Sequence, residues 1–263
     1  MSSPSGKNKR SLAGKLNWGM TWLAMKILGR SLHYRLKGDG AAWLQDVPVK
    51  NITVLNRVDF LQEMTRGEDV LHIGFSDHPF TEQRIKDGTL LHLQLKAGTK
   101  SLTGIDADEH SVRQYTQLAG DDKVYTADIC SAYPQAVIDS HPTLLLLTEV
   151  LEHLQDPYKA VAVLHNSFPA GTRILVTVPN YLGLDNLAAG LHNTESIHPD
   201  HNWYFSPYTL RRLFDDKRFT LDSFRFGMYY QPGVNVNAML RRYPYYGDCI
   251  MAIFTIVKPA DHA

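Results

Sequence analysis

Cysteine is nearly missing from this sequence: Cys130 and Cys249 stand alone and far apart. A disulfide scaffold needs more of them and a structural zinc site needs paired spacing, so both are excluded and a reducing cytoplasm is the expected setting. Net charge is missing too. Lys and Arg number 27 against 27 Asp and Glu, so no overall field draws the chain to nucleic acid. Long apolar runs are also lacking. The stretch 16–28 falls short of the roughly 20 residues of a membrane span, and Lys26 interrupts it. It contains Trp18 and Trp22 and offers no small-residue cleavage site nearby, which argues against a secretory leader.

Against the neutral total, the first forty residues are lopsided. Lys7, Lys9, Arg10, Lys15, Lys26, Arg30, Arg35 and Lys37 face only Asp39. Leu12, Leu16, Leu23, Ile27 and Leu28 fall at roughly helical spacing, so residues 1–48 read as a basic amphipathic extension or cap. Residues 11–37 then offer either a contact with the main domain or a second subunit, or peripheral attachment to an anionic membrane.

Residues 49–263 read as one α/β domain. A helix is expected over 49–64, a strand over 70–73 ending at Gly74, and a helix over 81–95. Further strands are expected over 101–105, 123–126, 143–147 and 173–178, with helices over 109–118 and from Pro157 onward. Strand and helix alternate through residue 180, which predicts a parallel sheet with helices on both faces. Two closing strands over 220–226 and 248–257 complete a Rossmann-like, doubly wound, mostly parallel sheet of seven strands. Segments 181–205 and 231–246 exceed simple connections, and their placement suits the acceptor side of a site.

Polar residues collect where these strands end. Asp106 closes the second strand, placed to accept hydrogen bonds from both hydroxyls of a ribose. Asp128 and Ile129 follow the third, a carboxylate for an adenine amino group and an apolar side chain for the ring. Thr148, Glu149, Glu152 and His153 follow the fourth. A dinucleotide would need glycine at three spaced positions for its pyrophosphate, and only Gly74 is there. A pyrophosphate would instead meet the Phe75 ring and the Asp77 charge. S-adenosylmethionine has no phosphate, and its ammonium suits Asp77.

The segments VLHIGFSDHPF, LTGIDADEHSV, YTADIC and LLLLTEVLEHLQDPYKA, in this order and spacing, resemble the cofactor-binding motifs of class I S-adenosylmethionine-dependent methyltransferases, in their small-molecule branch. EVLEHLxDP is the most specific of them, and HPDHNWYFSPYTLRRLF is similar to the segment before the sixth strand in many such enzymes. The resemblance covers about residues 60–257. It implies S-adenosylmethionine as cofactor and S-adenosylhomocysteine as product. It places Gly74, Phe75, Asp77, Asp106, Ala107, Asp128, Ile129, Thr148 and Glu149 around that cofactor.

Methyl transfer from a sulfonium is an in-line displacement in which positioning supplies most of the acceleration. A base matters where the acceptor must lose a proton. His201, His198 and His153 are the candidates, the first two beside Trp203, Tyr204 and Phe205. These three aromatic residues, with Tyr208, Tyr229 and Tyr230, suit either the lining of a pocket for an apolar or sugar-like acceptor or the core. Metal assistance is not expected, because no HxxxH on a helix face and no tight cluster of His with carboxylate is visible in the sequence. The expected partner is a small-molecule acceptor methylated at oxygen, a natural-product, glycan or lipid-linked intermediate. A non-catalytic relative and a protein or RNA methyltransferase are the alternatives.

Overall fold

The computed structural model describes residues 54–121, 123–229 and 234–258, together with Leu23, Lys26 and Ile27. The rest of the proposed arm at 11–37 lies outside the described residues, as does Tyr230. No described helix is long and apolar enough to cross a membrane.

The chain enters through β1 (Val54–Asn56) and α1 (Arg57–Thr65), where Asn56 caps the helix by accepting from Asp59 N at 3.1 Å. This corrects the single helix expected over 49–64, since residues 54–56 form a strand. Then come β2 (Asp69–Ile73), α2 (Thr81–Lys86) and α3 (Leu91–Lys96). The one helix expected over 81–95 is thus two, broken at Gly88, whose φ of +67° no regular helix accommodates. Next are β3 (Ser101–Asp106), α4 (Glu109–Ala119), β4 (Val124–Thr126), α5 (Gln135–Ile138) and β5 (Leu144–Thr148). Asp108 caps α4 through the amides of His110 and Ser111, and left-handed Gly120 ends it.

A 3-10 turn (Leu151–His153) leads to α6 (Pro157–Ser167), opened by Asp156 as cap and Pro157 in the first turn. β6 (Arg173–Pro179), α7 (Leu184–Gly190), α8 (Pro207–Leu213), β7 (Phe219–Met228), α9 (Val234–Arg242) and β8 (Cys249–Ile256) complete the chain. The segment expected to be irregular between residues 181 and 202 therefore contains a helix, α7.

The strand order is β1-β7-β8-β6-β5-β2-β3-β4. Only β8 runs against its neighbours, pairing antiparallel with β6 and β7. The doubly wound, mostly parallel sheet is as expected, with one strand more: β1 adds an eighth beside β7. β5 lies near the centre and all five of its residues are buried, as a strand covered on both faces must be. Leu144 and Leu146 join Phe60, Leu61, Leu95 and Leu175 in one core layer. Phe75, Leu90, Val112, Tyr115 and Val124 form a second.

Gly74 ends β2 with φ at +69°, and a Cβ there would clash with Val150 Cγ2. Gly74→Ala should therefore lower stability by about 2 kcal/mol or more, from left-handed strain plus overpacking. Urea denaturation checks this, and Val150→Ala should restore part of the loss in the double variant.

Burial, then the charge of Asp185, pushes the Asp248 carboxyl up to about 6. An unfolded aspartate releases its proton near pH ~3.9. Between those values the folded state binds more protons, so stability falls as pH rises through that window and stays low above it. Asp248→Asn removes the buried charge and should stabilise by on the order of 1 kcal/mol at about pH 7.5. Thermal melts should show the gain shrinking to nothing below about pH 4.

Candidate active site

From β2 the strand order runs one way to β3 and β4, and from β5 it runs the other way to β6. The carboxyl ends of β2 and β5 therefore flank the crevice in which a doubly wound sheet takes its ligand. Gly74, Asp106, Asp128 and Thr148 all sit at or just past the carboxyl ends of β2, β3, β4 and β5.

Asp106 ties two of these ends together. Its Oδ2 accepts from Ser76 N at 3.0 Å and Ser76 Oγ at 2.7 Å, and its Oδ1 accepts from Asp108 N at 3.0 Å. One acceptor position on Oδ1 is left for a further donor such as a ribose hydroxyl. Asp77 is paired with Arg84, and its own amide donates to Thr81 Oγ1 at 3.1 Å. Asp128 accepts from Cys130 N at 2.8 Å and Ser131 Oγ at 2.9 Å, which lowers its pKa, while Ile129 beside it is buried. Ala107 is exposed next to Asp106. The Phe75 ring is core, edge-on to Tyr115 at 5.1 Å and tilted on His92 at 4.9 Å, so only its backbone borders the crevice.

Thr148 Oγ1 lies 3.1 Å from His72 Nε2, and His72 Nδ1 lies 3.1 Å from His92 Nδ1. Burial drives both imidazoles down, His92 to about 3, so both are neutral and one nitrogen of the pair donates to the other. This polar chain through an apolar sheet was missed in the sequence, although His72 within VLHI was its signal.

Glu149 has a positive φ of 55°, uncommon for a residue with a side chain. Its carboxylate accepts from Thr177 Oγ1 and from Tyr229 OH, each at 2.6 Å, with Arg57 Nη1 at 4.0 Å. Burial, then the Glu149 charge, raises the Tyr229 pKa, which keeps the phenol a donor. Neither Arg57 nor Thr177 was expected here, since each comes from a distant element, and Tyr229 was expected only as an aromatic wall of the acceptor pocket, not as a donor to Glu149. Glu152, three residues on, is fully buried, and no donor among the described residues reaches either carboxylate oxygen. Burial first, then Glu149, holds its pKa well above the usual range.

His153, His198 and His201 are brought together. The His153 and His201 rings meet edge-on with centroids 4.6 Å apart, and His198 stands 5.4 Å from His201 and 6.1 Å from His153. Desolvation and then His153 and His198 push His201 down to about 4, against the opposing pull of Asp200. Four hydrogen bonds fasten the loop to the turn. Asn202 N and Trp203 N donate to Glu152 O at 2.7 and 3.2 Å, Asn202 Nδ2 to His153 O and Trp203 Nε1 to Leu154 O, both at 2.8 Å. Of the aromatic residues expected here, Phe205 is buried while Trp203 and Tyr208 are exposed.

The chemistry of the strand ends suits a cationic adenosyl group. Three carboxylates, Asp77, Asp106 and Asp128, stand there with an apolar Ile129, and Arg84 beside them is already paired with Asp77. A phosphate would find little to hold it.

The sequence matches the methyltransferase domain family over residues 56–223. No curated protein matches it. Among solved structures, magnesium protoporphyrin IX methyltransferase from Synechocystis PCC 6803, with bound S-adenosylhomocysteine, is similar at a TM-score of 0.51. Identity is 13%, over 75% of this chain and 81% of that one. The N-methyltransferase NodS from Bradyrhizobium japonicum WM9 aligns at a TM-score of 0.47 and 16% identity, over 77% of this chain and 86% of that one. Because the family match spans well over half of the chain and the sheet has the expected doubly wound order, the protein belongs to the methyltransferase domain family as a class I enzyme that takes its methyl group from S-adenosylmethionine.

Proposed function

We propose that this enzyme methylates a hydroxyl of a small molecule, of the natural-product, glycan or lipid-linked kind. The observation that carries this reading is the histidine cluster. His153, His198 and His201 gather within 6.1 Å, centroid to centroid, just past the strand that ends in Thr148. Burial lowers the pKa of His153 and His201, and neutral imidazoles of this kind suit an acceptor that arrives with a proton to lose. The exposed Trp203 and Tyr208 rings beside them offer stacking surface for an apolar or sugar-like acceptor.

When bound, the cofactor supplies a methyl group already activated on sulfur. The chain's own part is to hold and orient. Asp106 takes the ribose through its remaining Oδ1 position, Asp128 and Ile129 frame the adenine, and the Gly74 turn lets the chain pass close to the methionine end. Thr148, held by His72, borders the methyl group from β5. Glu149 supports this wall from behind through Thr177 and Tyr229. The even charge balance argues against a nucleic-acid acceptor.

Calorimetry with S-adenosylhomocysteine tests the donor half. The wild type should bind, and Asp106→Ala should weaken binding by about 10- to 100-fold, the value of a hydrogen bond to a charged group. A thermal melt confirms that the variant is folded. No binding by the wild type would favour the non-catalytic alternative.

A further inference from the structure

We propose that Glu152, His153 and His201 form a site for one divalent first-row transition cation, which holds the acceptor oxygen during methyl transfer. This deepens the hydroxyl-methylation reading and rests on it for the cation's role, while the site itself rests on geometry.

One carboxylate oxygen and one imidazole nitrogen from each histidine lie within 4.8 Å of one another. Three ligands at such separations surround a point that a single ion can occupy after small side-chain rotations. A carboxylate with two imidazoles is the donor set of many three-ligand catalytic sites, which leave positions open for substrate. The mixed nitrogen and oxygen set favours ions of the zinc, iron and manganese kind over calcium or magnesium.

The second, independent observation is Glu152 itself. Its side chain is fully buried, and among the described residues neither oxygen has a hydrogen-bond donor. A buried carboxyl group whose oxygens lack hydrogen-bond partners is costly to leave so, and a cation would satisfy them. The other carboxylate nearby, Glu149, is engaged by Thr177 and Tyr229. Glu152 is the acid left over.

The site is also built to keep its shape. Glu152 and His153 are adjacent in a 3-10 turn, while His201 comes from a loop almost fifty residues away. That loop is fastened by four hydrogen bonds that end on the carbonyls of Glu152, His153 and Leu154. The backbone of the first two ligands thus fixes the third, as supporting contacts do around metal centres. Sequence spacing alone gave no sign of a metal, because ligands this far apart meet only through the docked loop.

With the cation in place, the acceptor hydroxyl would coordinate through its oxygen and its proton would leave to solvent more readily. The oxygen lone pair then forms the new bond to the methyl carbon as the carbon–sulfur bond breaks, and that electron pair returns to sulfur as a neutral thioether.

Titration of the untagged full-length chain with Co2+ in chelator-treated buffer tests the site, read by visible absorption and by calorimetry. One ion per chain is expected. Glu152→Gln and His201→Asn should each weaken binding by more than about tenfold, a loss that even residues behind the ligands can cause. Circular dichroism checks that each variant is folded, and a variant that does not fold is replaced by His153→Asn. Equal Co2+ affinity in the wild type and the Glu152→Gln/His201→Asn double variant would overturn the proposal, as would no binding at all. S-adenosylhomocysteine calorimetry on the same samples separates the two readings. Cofactor binding without Co2+ binding removes the cation and leaves the methyltransferase, and the converse leaves a metal site without the donor half.

Discussion

The geometry around the crevice depends on one residue held in an unfavourable backbone conformation. Glu149 sits at φ 55° directly after the central strand, a conformation that costs on the order of 1 kcal/mol or more for a residue with a side chain. Three hydrogen bonds over-determine it: its amide donates to Thr177 O at 2.9 Å, and its carboxylate accepts from Thr177 and Tyr229. The reversal sends Val150 over Gly74 at the end of β2, closing the seam between the two strands at the switch point. It also sends Glu152 inward and carries His153 toward the loop that supplies His198 and His201. A chain that continued straight from β5 would place none of these.

This division explains what was legible in the sequence. The sheet could be read because each buried strand is a short apolar run, and because Asp156 with Pro157 and Ser206 with Pro207 announce helices by local chemistry. The strand-end residues proposed for the donor could be picked out for the same reason, since each strand end lies next to its strand. The β1 strand and the break at Gly88 were not visible, because a three-residue edge strand carries no period and a lone glycine reads equally as a tolerated helical residue. The roles of Glu149 and Glu152 were hidden for a deeper reason. Both are acids in the same motif, and only tertiary partners separate them: Thr177 from β6 and Tyr229 just after β7 serve the first, and among the described residues no hydrogen bond serves the second.

The two halves of the site are thus built on different principles. The half proposed for the donor is assembled by the sheet. Its residues are fixed by strand register, and Asp106 links the ends of β2 and β3 through Ser76, so it changes little unless the sheet does. The half proposed for the acceptor is assembled by docking, through hydrogen bonds between residues about fifty positions apart in sequence. Such contacts carry the entropy of ordering a loop and offset it with few bonds.

It follows that the acceptor half is the less stable of the two and the more easily altered. Substituting residues between 191 and 203, all but one of them exposed, leaves the sheet, the seam at Gly74 and the Glu149 anchor untouched. The rigid turn that carries Glu152 and His153 would then persist as a fixed wall while the loop facing it varied. On this architecture the loop brings His198 and His201 and the turn brings Glu152 and His153, and of the two only the turn follows directly from the central strand.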